Sequence, residues 1–115
     1  MANYQTNLDK AFSALADPTR RAIVGRLCEG PKSVSELSEP FDLALPSLLK
    51  HVRVLEESGL ISSEKVGRVR TCRIEAEVLE ATDAWIRRHI AVWDSRLDRM
   101  EAHIKRMQQK DEDIG

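Results

Sequence analysis

The sequence predicts a mainly helical protein with one small β-hairpin and a long C-terminal helix. Apolar residues recur with helical spacing before residue 60 and again after residue 77, and two short segments rich in β-branched residues flank Gly67. With 115 residues, the chain has the size of one domain. We therefore predict a single domain over 1–115, with a core over 8–77, a long helix over 78–108 and a charged tail over 109–115.

The first two helices carry recognisable start and stop signals. One apolar stripe with helical spacing is formed by Leu8, Ala11, Phe12 and Leu15. A second is formed by Ile23, Val24, Leu27 and Cys28. Between the stripes, Asp17 is a favourable N-cap and Pro18 suits the first position of a helix. Gly30 and Pro31 then predict the end of the second helix.

The next two helices predict a helix-turn-helix. Ser33 and Glu36 have the spacing of a capping box, which indicates the start of a short third helix. A fourth helix is predicted over 45–58, and its apolar face is formed by Leu48, Val52 and Leu55. Lys50 and Arg53 lie on the opposite face. A short helix, a tight turn and a helix with a basic outer face make up this motif.

After the fourth helix the apolar spacing changes to that of strands. Segments 61–66 and 69–74 alternate as paired strands do, with Gly67 and Arg68 at the hairpin tip and Arg70 close by. The hairpin follows the helix-turn-helix and precedes the long helix, so the predicted fold is a winged helix-turn-helix.

The last predicted helix carries a heptad seam. Its apolar residues are separated alternately by four and three positions: Ile86, Ile90, Trp93, Leu97, Met100, Ile104 and Met107. A helix of this length exceeds what so small a core needs, so we predict that the seam packs against a second copy in a homodimer. Trp85 and Trp93 are interpreted as core or dimer contacts rather than as the lining of a ligand pocket.

The net charge of −1 by itself predicts no nucleic-acid partner, but the charge is distributed unevenly along the chain. Residues 44–74 hold six basic and three acidic side chains, whereas the segments on either side are net negative. This concentration of positive charge in the middle third is a hint about the partner. No apolar run is long enough to cross a bilayer, and two cysteines do not form a disulfide framework, so we predict a cytoplasmic protein without a membrane partner.

Four motifs, in order, resemble those of the ArsR family of bacterial repressors. They are Leu-Ala-Asp-Pro-Thr-Arg-Arg at 15–21, Leu-Pro-Ser-Leu-Leu-Lys-His at 45–51, Leu-Glu-Glu-Ser-Gly-Leu-Ile at 55–61 and Lys-Val-Gly-Arg at 65–68. The resemblance implies a homodimeric repressor whose partner is double-stranded DNA, bound at a palindromic operator. It also implies that the 45–58 helix lies in the major groove and that the 67–70 wing contacts the flanking backbone.

By position, the resemblance assigns base reading to Leu45, Pro46, Leu49 and Lys50, although many relatives have Ser or Gln where this chain has Leu45, Pro46 and Leu49. The full set of predicted DNA-binding residues is Leu45, Pro46, Ser47, Leu49, Lys50, His51, Arg53, Arg68 and Arg70. His51 lies nearer the apolar face of its helix, which favours packing over DNA contact.

Neither catalysis nor metal binding has a recognisable motif. The third helix lacks the cysteine pair of the family's thiolate sensors, and Asp83, His89 and His103 do not match the spacing of its zinc-type sites. We predict no metal, no cofactor and no enzyme activity, and interpret Cys28 and Cys72 as core residues. Two alternatives stay open: a coiled-coil interaction module without DNA binding, and a metal- or thiol-responsive repressor. The effector, a small molecule or a protein, is not identified by the sequence.

Overall fold

The computed structural model describes the backbone of residues 4–114 and the side chains of residues 8–111. Within this part of the chain, helices and strands follow the predicted order. The helices are α1 (Tyr4–Leu15), α2 (Pro18–Leu27), α3 (Val34–Ser38), α4 (Leu45–Glu57) and α5 (Ala76–Ile114). The strands are β1 (Lys32–Ser33), β2 (Ile61–Val66) and β3 (Val69–Ile74). The predicted fold class, a mainly helical winged helix-turn-helix, is confirmed.

The predicted helix starts are formed by the expected contacts. The side chain of Asp17 accepts a hydrogen bond of 3.0 Å from the backbone N–H of Arg20, and Pro18 occupies the first turn of α2. At α3, Ser33 and Glu36 form both hydrogen bonds of a capping box, each 3.1 Å long. These contacts satisfy N–H groups that have no partner within their own helix, so they fix where α2 and α3 begin.

The hairpin has the predicted strands and gains a third one. β2 and β3 pair antiparallel from Ile61 opposite Ile74 to Val66 opposite Val69. At the tip, Gly67 has φ +63°, a backbone conformation that side chains with a Cβ rarely adopt. The two-residue strand β1 pairs with the other edge of β3, so the sheet order is β1-β3-β2. No sequence pattern predicted β1.

The core lies between α1–α4 and the sheet. Its buried apolar residues are Ala11, Ala14, Ile23, Val24, Leu27, Val34, Leu37, Leu48, Val52, Leu55, Leu60, Ile61 and Cys72. Val78 and Leu79 of the first turns of α5 pack against this cluster. Cys72 is a core residue as predicted, but the placement of Cys28 in the core is wrong, since its side chain is exposed. Cys28 follows Leu27 by about 100° of helical rotation, which carries it off the buried stripe.

The chain divides into two compact units, one ending at Thr82 and the other beginning at Asp83. The first turns of α5, up to Thr82, belong to the first unit. The rest of α5, from Asp83 onward, forms the second unit. It begins at Ala76, two residues before the predicted start, and continues to Ile114 instead of ending at residue 108. The backbone of 109–114, predicted as a separate charged tail, is therefore part of this helix, while Gly115 lies outside the described residues. No helix within residues 4–114 is both long and apolar enough to span a membrane.

Candidate nucleic-acid interface

α4 separates a buried face from an exposed one, as its sequence predicts. Leu48, Val52 and Leu55 are almost completely buried. Lys50 and Arg53 are exposed on the outer face. The N-terminal turns of the helix expose a further group of predicted site residues: Leu45, Pro46, Ser47 and Leu49. The α4 surface that faces solvent is therefore apolar at its start and basic further along.

A groove lies between α4 and the hairpin. Its volume is about 580 Å³, and its lining residues are Ser33, Val34, Ser35, Leu45, Leu49, Lys65, Arg68, Val69 and Arg70. Three of these side chains are cationic and none is acidic. The groove brings Leu45 and Leu49 together with Arg68 and Arg70. Lys65 belongs to the same surface but was not among the predicted site residues, although it lies in the basic middle segment of the sequence.

The guanidinium of Arg70 forms a hydrogen bond within the protein. Its Nη1 donates a 2.8 Å hydrogen bond to the hydroxyl of Ser63 on β2, and this hydroxyl donates to the Glu56 carboxylate on α4. The chain of bonds links both strands of the hairpin to α4. Arg70 thus differs from the exposed Arg68, because part of its hydrogen-bonding capacity orients the hairpin. Neither Ser63 nor Glu56 was singled out from the sequence.

His51 faces α2, not the groove. Its Nδ1 lies 3.3 Å from Nη1 of Arg20 and 3.9 Å from the Asp17 carboxylate, and its side chain is half-buried. A guanidinium has no acceptor, so a neutral His51 accepts this hydrogen bond at Nδ1. The backbone N–H of Arg20 lowers the pKa of the Asp17 carboxyl, and the positive charge of the Arg20 guanidinium acts in the same direction. This placement agrees with the packing interpretation of His51.

Arg20 also caps the C-terminal end of α1. Its Nε donates to the carbonyl of Ala14 at 2.7 Å and its Nη2 to the carbonyl of Ser13 at 3.2 Å, while Arg21 donates to the carbonyl of Leu15 at 2.8 Å. The last carbonyls of a helix have no partner within it. The two arginines of the first family motif therefore have a structural role that joins α1, α2 and α4.

Replacing Arg20 with Ala removes three side-chain hydrogen bonds. At about 0.5–1.5 kcal/mol net for each bond, and with partial exposure, we expect a loss of about 1–2 kcal/mol in the free energy of unfolding. Urea denaturation at fixed protein concentration measures it. As a control, replacing the exposed Arg88 with Ala should change this free energy by less than about 0.5 kcal/mol. Equal midpoints for both variants would contradict the role of Arg20.

The cysteines and acidic residues give no metal centre in the described part of the chain. Among residues 8–111, no three or more His, Cys, Asp or Glu side chains are grouped so that they could hold a metal ion. Burial raises the pKa of the Cys72 thiol, and the nearby Glu56 carboxylate raises it further. Cys72 is thus held as a neutral thiol in the core. The absence of a cofactor stays a prediction.

The seam residues of α5 are all exposed in the single chain. Ile86, Ile90, Trp93, Leu97, Met100, Ile104 and Met107 have exposed fractions between 40 and 58%. The seam extends about 30 Å along the helix at ~1.5 Å per residue. Trp85 stacks on His89 within α5, with ring centroids 4.0 Å apart, so its ring has a partner in the same helix. A row of large apolar side chains in water is typical of a surface that another helix covers.

The short α3, the connection over 39–44, the exposed face of α4 and the basic hairpin define a winged helix-turn-helix transcriptional regulator that binds DNA. A helix-turn-helix domain model matches residues 15–64. The HTH-type transcriptional regulator Rv2034 of Mycobacterium tuberculosis is 37% identical over 81 residues, which cover 70% of this chain and 75% of that protein. The chain belongs to the ArsR family of transcriptional regulators.

Two further relatives agree with this assignment. The arsenical resistance operon repressor of Escherichia coli is 30% identical over 98 residues, covering 84% of this chain and 80% of that protein. The crystal structure of the ArsR family transcriptional regulator RHA00566 has a TM-score of 0.76 and 55% identity, and covers 83% of this chain and 98% of that one. The resemblance inferred from the four sequence motifs is confirmed.

Proposed function

We propose that the protein is a homodimeric repressor that binds a palindromic operator, with α4 in the major groove and the 67–70 wing on the flanking backbone. The observation that carries this proposal is the groove between α4 and the hairpin. Lys65, Arg68 and Arg70 line it without a single carboxylate, in a chain whose net charge is −1. Such local concentration of positive charge matches the phosphates of a duplex, which dominate the affinity of DNA-binding proteins.

Outside the groove, the exposed Lys50 and Arg53 on α4 extend the basic surface. Phosphate contacts from α4 and from Arg68 at the hairpin tip would hold the helix at two places along the duplex. Phosphate contacts position a protein without reading the sequence, so they support DNA binding in general. Specific recognition then depends on side chains at the start of α4, where helix-turn-helix proteins contact base edges.

The homodimer is proposed from the exposed seam of α5. A second copy offers the same row of apolar residues, and pairing two such rows buries both seams at once. A dimer with two-fold symmetry presents two equivalent α4 helices, so its operator has two inverted half-sites. Repression, rather than activation, is proposed because the related Escherichia coli protein is named a repressor. An unidentified small molecule or protein would release the operator.

Selection from a pool of random DNA duplexes tests the function. We expect enrichment of an inverted repeat bound by two chains, with affinity that falls as salt rises. Reversing the charge of Lys50 and Arg53 to Glu should weaken binding by at least about a hundredfold. The matched control reverses Arg88 and Arg99, which lie off the seam, and should retain binding. If the protein passes through a random-DNA column at low salt without being retained, the result favours the alternative of a coiled-coil interaction module that does not bind DNA.

A further inference from the structure

The N-terminal turns of α4 are apolar where the groove meets solvent. Leu45 is 53% exposed and Leu49 is 36% exposed, one helical turn apart and on the same side of α4. Both line the groove beside Arg68 and Arg70. Large apolar side chains at the centre of a basic surface are unusual for a surface that binds phosphates alone, because they gain nothing from a charged partner.

The same turns have few groups that can form hydrogen bonds with bases. Over residues 45–49, Leu48 is buried and only Ser47 carries a side-chain hydroxyl. Pro46 has no side-chain polar atom, and the two exposed leucines have none either. In the major groove the apolar group displayed by base edges is the C5 methyl of thymine. For a leucine side chain that reaches the bases, the thymine methyl group is therefore the one favourable contact in the major groove.

We propose that Leu45 and Leu49 recognise thymine methyl groups in each half-site of the operator. The proposal rests on the proposed function, since it requires α4 in the major groove. The surrounding cations hold the helix against the backbone, and the leucines then select for thymine by burying its methyl group. Specificity at these positions comes from apolar contact rather than from hydrogen bonds, which makes it sensitive to the methyl alone.

Deoxyuridine tests this directly, because it pairs like thymidine but lacks the methyl group. After an operator has been enriched from random duplexes, each thymine is replaced in turn by deoxyuridine. We expect the affinity to fall about fourfold for each contacted methyl removed, and roughly 15-fold when the equivalent thymines of both half-sites are changed. Deoxyuridine outside the protected region should leave the affinity unchanged. If every substituted operator binds like the original, the proposal is wrong.

Two variants assign the effect to the leucines. In Leu45→Ala or Leu49→Ala, the penalty for deoxyuridine should disappear at the thymine which that leucine contacts. Val92→Ala, which removes an exposed aliphatic group from α5 off the seam, should retain the full penalty. A penalty that persists in both leucine variants would overturn the assignment. A pool from which no operator is enriched would overturn the proposed function as well, so the two failures are distinguishable.

Discussion

Replacing Trp93 and Leu97 with Asp is expected to abolish the homodimer. Both side chains lie in the middle of the exposed seam of α5. In the proposed dimer the change would bury four carboxylates, two from each copy, against an apolar surface. Burial of unpaired charges costs several kcal/mol, so we expect dimer affinity to fall at least about a thousandfold. Sedimentation should then show a 13.0 kDa monomer or an unfolded chain.

The matched control places the same two charges elsewhere on the helix. Ala91 and Ser95 are exposed and lie off the seam, so Ala91→Asp with Ser95→Asp should sediment as a dimer. Circular dichroism of both variants reports whether helix is retained. Because two linked half-site contacts become independent in a monomer, operator binding should weaken in the seam variant and not in the control. A seam variant that stays dimeric and fully folded would remove the basis for the proposed interface.

Short-range signals account for most of the fold that the sequence predicts. Asp17 and Ser33 cap the helices that follow them, since each acts within three residues of itself. Gly67 marks the hairpin tip for a similar reason, and the strands on either side have the predicted bounds. Heptad spacing in the final helix also shows which residues share a face. It does not indicate that the helix continues to Ile114.

Contacts between distant residues account for what was missed. The strand β1 has two residues and no alternating pattern, and it exists because β3 offers it an edge. Arg20 and His51 are 31 residues apart, so no local pattern indicates that they meet. Exposure of the α4 site residues follows from helical spacing. The role of Arg70 does not, because its bond to Ser63 depends on how the hairpin twists and packs on α4.

Replacing Arg68 with Ala is expected to reduce the salt dependence of DNA binding. If Lys50, Arg53, Arg68 and Arg70 each meet one phosphate, a dimer neutralises eight charges, and log affinity against log salt has a slope of about −7. Losing Arg68 from both copies should make the slope shallower by about 2. Arg68 is exposed at the hairpin tip, so the fold and the dimer should be retained.

The control and the sequence dependence distinguish a phosphate contact from other roles. Arg73 lies on the same strand as Arg70, outside the groove lining, and its Nε is 3.5 Å from the Glu75 carboxylate. Arg73→Ala should therefore leave the slope unchanged. Because a phosphate contact carries no sequence information, Arg68→Ala should weaken binding to operator and random DNA nearly equally. An unchanged slope would exclude the wing from the interface. Loss of operator preference alone would mean that Arg68 reads groove width or a base edge.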